Sequence, residues 1–340
     1  MAILDRPDMK AQGRFVLVHE MPTDILLEVV SHCNMDCIMC PQSRLTRGRG
    51  TMSFDLWKKI VDELAEKAPQ IKIWPTLMGE PLLLGRRLFK YLKYAKDVGM
   101  HHVSLNTNLG VLRDDWLDDL FDARFDELVI SMDGITKETY EKIRVGGKIE
   151  TILKNIDTIL DEKERRKAEF PKITIQYIVM DENEHEQDAF VEYWEKQNRN
   201  LKLKIKPRTG WAAAVDSWNA VDDVVKNDER IPCTWLLRQL TVFWDGRVPQ
   251  CDGDWDLQYE QCGDANVQTI EEIWDGRLKD LRQKHLRHEW SHEPCASCQD
   301  WAAGTAEFLE YGPGKTSGCG SSRGAKGGQE LVQLSVNGGS

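Results

Sequence analysis

The sequence of this 340-residue chain predicts an α/β fold: a partial (β/α)6 TIM-like barrel followed by a small C-terminal α/β module. Three observations predict it. Strand-like and helix-like segments alternate through residues 22–210. A cysteine-rich loop follows the first strand-like run, where such folds carry their chemistry. The composition then changes after Lys206 and cysteines return.

The first strand candidate, Asp24–Val30, contains the apolar run Ile25-Leu26-Leu27-Glu28-Val29-Val30. The others are Ile71–Leu77, His102–Asn106, Glu127–Ser131, Ile173–Val179 and Lys202–Lys206. Helical stretches lie between them: Phe54–Lys67, Leu84–Val98, Asp114–Leu120, Glu138–Ile143 with Ile149–Lys163, and Asp188–Gln197. Six βα units in a row imply a parallel sheet with helices outside, closing toward a barrel with its chemistry at the carboxyl ends of the strands. Pro207–Asn219 reads as a connector. Residues 231–301 carry five cysteines, a strand-turn signal at Val242–Val248 and a helix near Ile270–Arg287. Residues 312–340 are rich in Gly and Ser and read as a flexible tail. The expected division is an N-terminal extension at 1–22, a barrel at 23–210, a second module at 211–305 and a tail at 306–340.

Hydrophobic residues make up 41% of the chain and charged residues 30%, as in ordinary soluble proteins. No run approaches 18 uninterrupted apolar residues, so no membrane partner is expected. The start, Met1-Ala2-Ile3-Leu4-Asp5-Arg6, lacks a charged-then-apolar signal pattern, which makes a cytoplasmic location the expectation. Nine cysteines there stay reduced, which favours metal ligation over disulfides. A net charge of −11 disfavours nucleic acid as a partner. The local basic cluster Arg44, Arg47 and Arg49 is expected to be a solvated loop.

Cys33, Cys37 and Cys40 stand in C-x3-C-x2-C spacing directly after the first strand candidate. Three thiolates on one tight loop can hold three irons of a [4Fe-4S] cube and leave the fourth iron open to a small molecule. Electron-transfer clusters usually have four cysteines, and zinc loops usually bring C-x2-C pairs. The triplet resembles the fingerprint of the radical S-adenosylmethionine (radical SAM) enzymes. The resemblance implies further positions. Gly79 and Glu80, in Met78-Gly79-Glu80-Pro81, match a GGE-like motif that accepts hydrogen bonds from the methionine amino group, with Met78 in place of the first glycine. Asn106 and Ser131, at strand ends, approach the ribose and carboxylate of SAM in similar enzymes. Arg144 matches a carboxylate-binding arginine, a planar partner suited to that group. Met39 replaces an aromatic residue near the adenine, and its thioether can cover a ring face.

Cys233, Cys251 and the pair Cys295/Cys298 would suit a second iron-sulfur cube. This part resembles the twitch module, a shortened SPASM domain, as do Gly263-Asp264-Ala265-Asn266-Val267 and the helix Ile270-Glu271-Glu272-Ile273-Trp274. Gly304 stands where a full SPASM domain has its next cysteine, so one auxiliary cluster is expected. The rival is zinc held by His288, His292, Cys295 and Cys298, which leaves Cys233 and Cys251 unexplained. Cys262 reads either as a small buried residue or as a hydrogen-atom donor. Cys319 falls in the tail with no fixed role.

Resemblance covers most of residues 24–301. It implies a 5′-deoxyadenosyl radical made from SAM, two [4Fe-4S] clusters, a small-molecule substrate and an external one-electron reductant such as flavodoxin or ferredoxin. Twitch-bearing relatives modify sugars and aminocyclitols in antibiotic biosynthesis, by dehydrogenation or by epimerisation. Dehydrogenation of a carbinol carbon is the expected reaction, with epimerisation through Cys262 as the alternative. Ribosomal-peptide modification is a third reading, disfavoured by the short stretch before the first strand. Lys206 and Arg208, at the end of the sixth strand, are the candidates to bind or deprotonate a hydroxyl-bearing substrate.

Overall fold

A computed structural model describes residues 2–3, 17–18, 20–215, 230–301 and 309–311. The strands, in chain order, are β1 (Ala2–Ile3), β2 (Leu17–Val18), β3 (Asp24–Leu27), β4 (Lys72–Trp74), β5 (His102–Thr107), β6 (Glu127–Ser131), β7 (Lys172–Val179), β8 (Leu201–Pro207), β9 (Gln239–Val242), β10 (Arg247–Pro249), β11 (Gln261–Asp264) and β12 (Leu309–Tyr311). One sheet runs in the order β12-β8-β7-β6-β5-β4-β3-β9. Its strands from β8 to β9 are all parallel, and β12 joins β8 antiparallel. This is the open, partial barrel that the alternating pattern predicts.

Helices cover the sheet. α1 (Phe54–Lys67) starts at Ser53, whose hydroxyl accepts the Leu56 amide, and it buries Leu56, Trp57, Ile60, Val61 and Leu64. Those spacings form one stripe of a 3.6-residue helix. α2 (Arg86–Asp97), α3 (Leu117–Asp122), α4 (Lys137–Ile143), α5 (Ile149–Arg166) and α6 (Gln187–Gln197) follow. The strand interiors are nearly continuous apolar runs, as burial on both faces requires: Leu128, Val129 and Ile130 in β6 are all at most 3% exposed.

Besides the earlier end of β3, at Leu27 rather than Val30, and the later start of α2, at Arg86 rather than Leu84, the structure departs from the sequence expectations in four places. β4 ends at Trp74 rather than Leu77, because Pro75 cannot donate to a ladder. The expected helix Ile270–Arg287 is two, α8 (Ile270–Asp275) and α9 (Arg277–Leu286), with Gly276 between them; α7 (Thr234–Arg238) precedes them. The signal read as a strand-turn of the second module is split. β9 pairs in parallel with β3 as a seventh strand of the barrel sheet, and only β10 pairs with β11.

The fourth departure is the basic loop. Arg47 donates to Glu28 at 2.5 Å, both side chains are at most 1% exposed, and its guanidinium lies 3.8 Å from the Phe243 ring centroid. Arg49 donates to the Ser31 and Gln42 carbonyls, and Arg44 to the Ala214 carbonyl. The loop is an anchor because Glu28, inside an apolar run, needs a buried cation. Burial pushes the Glu28 carboxyl up, and Arg47 opposes that. Arg47→Met leaves a buried unpaired carboxylate, and about 3 kcal/mol of stability is expected to go; a thermal midpoint unchanged in that variant would contradict this role.

Residues 216–219 of the expected connector lie outside the described residues, as do Gly304, Cys319 and the tail from 312. Among the described residues no helix is long and apolar enough to cross a membrane.

Candidate active site

The first cysteine loop leaves β3 and is fastened by backbone bonds to the last residue of α4 and the segment just after it. The Asp36 amide donates to Val145 O at 2.8 Å and the Ile38 amide to Ile143 O at 3.0 Å. Within the loop the Cys40 amide donates to Cys37 O. Side-chain donors are aimed at the sulfurs: Asn108 Nδ2 at Cys33 Sγ and Arg144 Nη1 at Cys37 Sγ, each at 3.8 Å. Burial pushes the Cys33 thiol up to about 11 and Cys40 to about 12, and the charges of Cys33 and Cys37 also oppose that of Cys40.

Gly79 is where the next strand end meets this loop. A Cβ there would lie 2.0 Å from Val30 O, so the close approach is to the chain's own backbone. The Glu80 amide donates to His32 O at 2.8 Å. The Glu80 carboxylate accepts from Thr107 Oγ1, the Asn108 amide and the Leu82 amide at 2.7–2.9 Å, which fixes the turn after β5. About one of its four acceptor positions is left for a ligand. Asn106 Oδ1, near the end of the same strand, is buried without a hydrogen-bond partner among the described residues. Ser131 closes β6 opposite Gln176.

Arg144 is buried and lies 2.5 Å from the Asp133 carboxylate, as an ion pair off hydrogen-bond alignment. Asp133 Oδ1 meanwhile accepts the Ile178 amide at 2.7 Å. The arginine is therefore held by protein and faces Cys37. Its Nε has no partner among the described residues. Met39 packs with Ile143 and Met180 in a small apolar cluster beside Cys37.

At the end of β8 stand Lys206 and Arg208. Burial, then Lys204, lower the Lys206 amine to about 8. Asp133 and Arg144 act on it from the first site, and Asp252, next to Cys251, acts from the second. Arg208 Nε is buried without a partner among the described residues. The turn that follows touches both cysteine sets. Gly210 and Ala212 amides donate to Asp300, two residues past Cys298, and Trp211 Nε1 donates to Met39 O at 3.1 Å.

Cys233, Cys251, Cys295 and Cys298 line one cavity with Arg230, His285 and His292. Burial pushes all four thiols up, Cys295 to about 11 and Cys233 to about 12. His285, His292 and Cys295 bring their ligand atoms within 4.8 Å of one another. The histidine beside His292 is thus His285 rather than the His288 expected for a zinc set. His288 sits past α9 at φ +63°, with its ring 5.1 Å from Trp290. Cysteine spacing alone does not single out His285, although a histidine among Leu278, Leu281 and Arg282 on the buried stripe of α9 is a usable signal. Asp252 has only its place after Cys251 to mark it.

A family model for the radical SAM superfamily matches residues 27–193, and one for the SPASM iron-sulfur cluster-binding domain matches residues 233–299. The chain is a radical SAM enzyme with a SPASM domain. A probable GTP 3′,8-cyclase of Methanococcus maripaludis is 30% identical over 179 residues, 52% of this chain and 56% of that protein. The chain thus spans little more than half the length of that relative. The PqqA peptide cyclase of Bradyrhizobium diazoefficiens is 24% identical over 82% of this chain and 79% of its own. A crystal structure of BtrN in complex with AdoMet and 2-DOIA superposes with a TM-score of 0.55 at 16% identity, over 82% of this chain and 93% of that one.

A radical SAM enzyme carries a [4Fe-4S] cluster and SAM, and the SPASM domain carries auxiliary iron-sulfur chemistry. The residues present fit both. Buried thiols whose ionisation is opposed by burial become thiolates when a cation takes up their charge. The donors on Cys33 and Cys37, and the orphaned Asn106 oxygen, suit an anionic cluster with a polar ligand beside it.

The structure does not bring Cys262 to this group. It is 6% exposed on β11 inside the hydrophobic core, its thiol faces Glu260 O at 3.8 Å, and the charges acting on it are Glu260, Arg277 and Asp254.

Proposed function

We propose that this radical SAM enzyme dehydrogenates a carbinol carbon of a sugar- or aminocyclitol-like small molecule in natural-product biosynthesis. Cys33, Cys37 and Cys40 hold the first cluster. Gly79, Glu80, Asn106, Ser131, Arg144 and Met39 surround SAM. Cys233, Cys251, Cys295 and Cys298 hold one auxiliary cluster. When bound, the first cluster and SAM supply the 5′-deoxyadenosyl radical that removes a hydrogen atom from substrate.

The observation that carries the reading is Lys206, near the end of β8, where the charges of Asp133 and Arg144 at one site and of Asp252 beside the other act on it. Converting a carbinol to a ketone removes one hydrogen atom, one proton and one electron. Lys206, with an amine near neutrality, takes the proton. Arg208 directs its free Nε–H to a substrate oxygen. Cys233, Cys251, Cys295 and Cys298, joined to the first set through the turn at 210–212, would hold the auxiliary cluster, which would supply an acceptor for the electron. The starting electron comes from a flavodoxin- or ferredoxin-like reductant in the cytoplasm. Epimerisation through Cys262 has less support, because that thiol is packed in the core. A ribosomal peptide as substrate gains support from the extended match to a peptide cyclase.

The test is product analysis in deuterium oxide with sugar and peptide candidates. A ketone two mass units lighter, formed equally by Cys262→Ala, is expected. Lys206→Met should lower product formation about 100-fold, the scale of a lost general base. The wild-type rate should rise as pH passes about 8, since only the neutral amine accepts a proton, and the variant should lose that rise. Deuterium at an inverted carbon, lost in Cys262→Ala, would overturn the dehydrogenase reading.

A further inference from the structure

The second cysteine cavity contains a histidine that the proposed reaction does not use. His285 is 1% exposed, on the buried side of α9. Its Nδ1 lies 3.2 Å from the Cys233 backbone amide, which can only donate. Nδ1 must therefore be the acceptor, and the ring proton sits on Nε2. Nε2 lies 3.3 Å from Cys295 Sγ, so the arrangement is an N–H···S hydrogen bond aimed at a thiolate.

We propose that His285 is a positioning residue that raises the reduction potential of the auxiliary cluster through this bond to Cys295. The inference rests on the proposed ligand set, with Cys233 and Cys295 among the ligands. Reduction adds negative charge to a group that four thiolates already make anionic. A donor to a ligand sulfur therefore stabilises the reduced form more than the oxidised one. Charged neighbours of both signs surround the set. Arg230 faces Cys295, Cys298 and Cys233, donates to Cys295 O at 2.7 Å and lies 4.9 Å and 5.7 Å from the Trp290 and Trp301 ring centroids. His292 lies near Cys295 as well. Asp252 faces Cys251 and Cys233, Asp300 faces Cys298 and Glu293 faces Cys295, and all three oppose added negative charge. Against these carboxylates, the His285 donor at Cys295 favours the extra electron, as an electron acceptor requires.

Two substitutions separate the two bonds of the ring. In His285→Asn the side-chain oxygen stands in for Nδ1 and keeps the Cys233 amide satisfied, but nothing reaches Cys295. In His285→Gln the amide NH2 stands in for Nε2–H and restores the donor to sulfur. Both are made in a chain with Cys33, Cys37 and Cys40 replaced by alanine, so that only the second cluster reports. The reduced population at fixed potential is followed by electron paramagnetic resonance, with iron, sulfide and zinc assays on each preparation.

His285→Asn is expected to shift the one-electron equilibrium about tenfold toward the oxidised form, a fall of about 59 mV. His285→Gln should recover most of it. Loss of the cluster in Asn with retention in Gln also supports the sulfur bond. Equal potentials in all three proteins overturn the proposal and leave the ligand set intact, as does cluster loss in both variants, which would make the role structural. Zinc in place of iron in the His285 parent would overturn the ligand set and this inference with it.

Discussion

Replacing Cys33, Cys37 and Cys40 together by alanine should abolish cleavage of SAM to 5′-deoxyadenosine and methionine and leave the second cluster in place. The reason is local. The loop is held by bonds from the Asp36 and Ile38 amides to the Val145 and Ile143 carbonyls, and none of these needs a sulfur. The three side chains are where iron binding energy enters. In the metal-free protein burial pushes the Cys33 thiol up to about 11, Cys40 up to about 12 and Cys37 up as well, so cluster assembly replaces three protons with iron. Without thiols the donors from Asn108 and Arg144 face nothing anionic. The second set, Cys233, Cys251, Cys295 and Cys298, lies in its own cavity and shares no ligand with the first. Iron in an anaerobic preparation should fall from about eight to about four per chain, by the four-iron stoichiometry of each cube. The expected readouts are loss of 5′-deoxyadenosine under dithionite and retention of the second cluster's signal. Cleavage at the wild-type rate in the triple variant would remove the assignment of these three residues.

The barrel is legible in the sequence because its signals are local. Phe54–Lys67 and Glu127–Ser131 come out with the predicted ends. Phe54–Lys67 has a Ser53 cap at one end and a clean apolar stripe, and Glu127–Ser131 is a short buried run. What the sequence hides depends on contacts far apart in the chain. Val242–Val248 reads as a strand-turn of the second module, but the strand that ends at Val242, Gln239–Val242, pairs with Asp24–Leu27, more than 200 residues earlier. Arg47 reads as a loop cation, and only the fold reveals that it neutralises Glu28. The cysteines are legible as a set because their spacing is itself the signal. The surroundings of Lys206, Asp252 and His285 are not, because one lysine, one aspartate and one histidine carry no pattern. Their meaning comes from the strand end, the thiol and the helix face that surround them.

Gly79→Ala should cost the protein its first cluster. Gly79 does not have a left-handed φ, so the requirement is one of space alone. An added Cβ would meet Val30 O at 2.0 Å, Val30 C at 2.7 Å and His32 O at 2.8 Å, all backbone atoms at the root of the cysteine loop. Backbone cannot rotate out of the way as a flexible side chain can. The strand end carrying Glu80 or the loop carrying Cys33 must therefore shift to make room. Movement breaks the Glu80 amide's bond to His32 O, and through the Glu80 carboxylate it loosens Thr107 and Asn108, whose side chain faces Cys33. Overpacking of this kind costs about 3 kcal/mol. Gly48 is the control. Its φ is +92°, and no atom lies within 4 Å of the place a Cβ would take, so Gly48→Ala carries only backbone strain. That strain is about 1 kcal/mol. The expected result is a lower thermal midpoint for Gly79→Ala than for Gly48→Ala, with iron near about four per chain in the first and about eight in the second. Full iron loading and normal SAM cleavage in Gly79→Ala would mean that the strand end and the cysteine loop are not locked together as the structure has them.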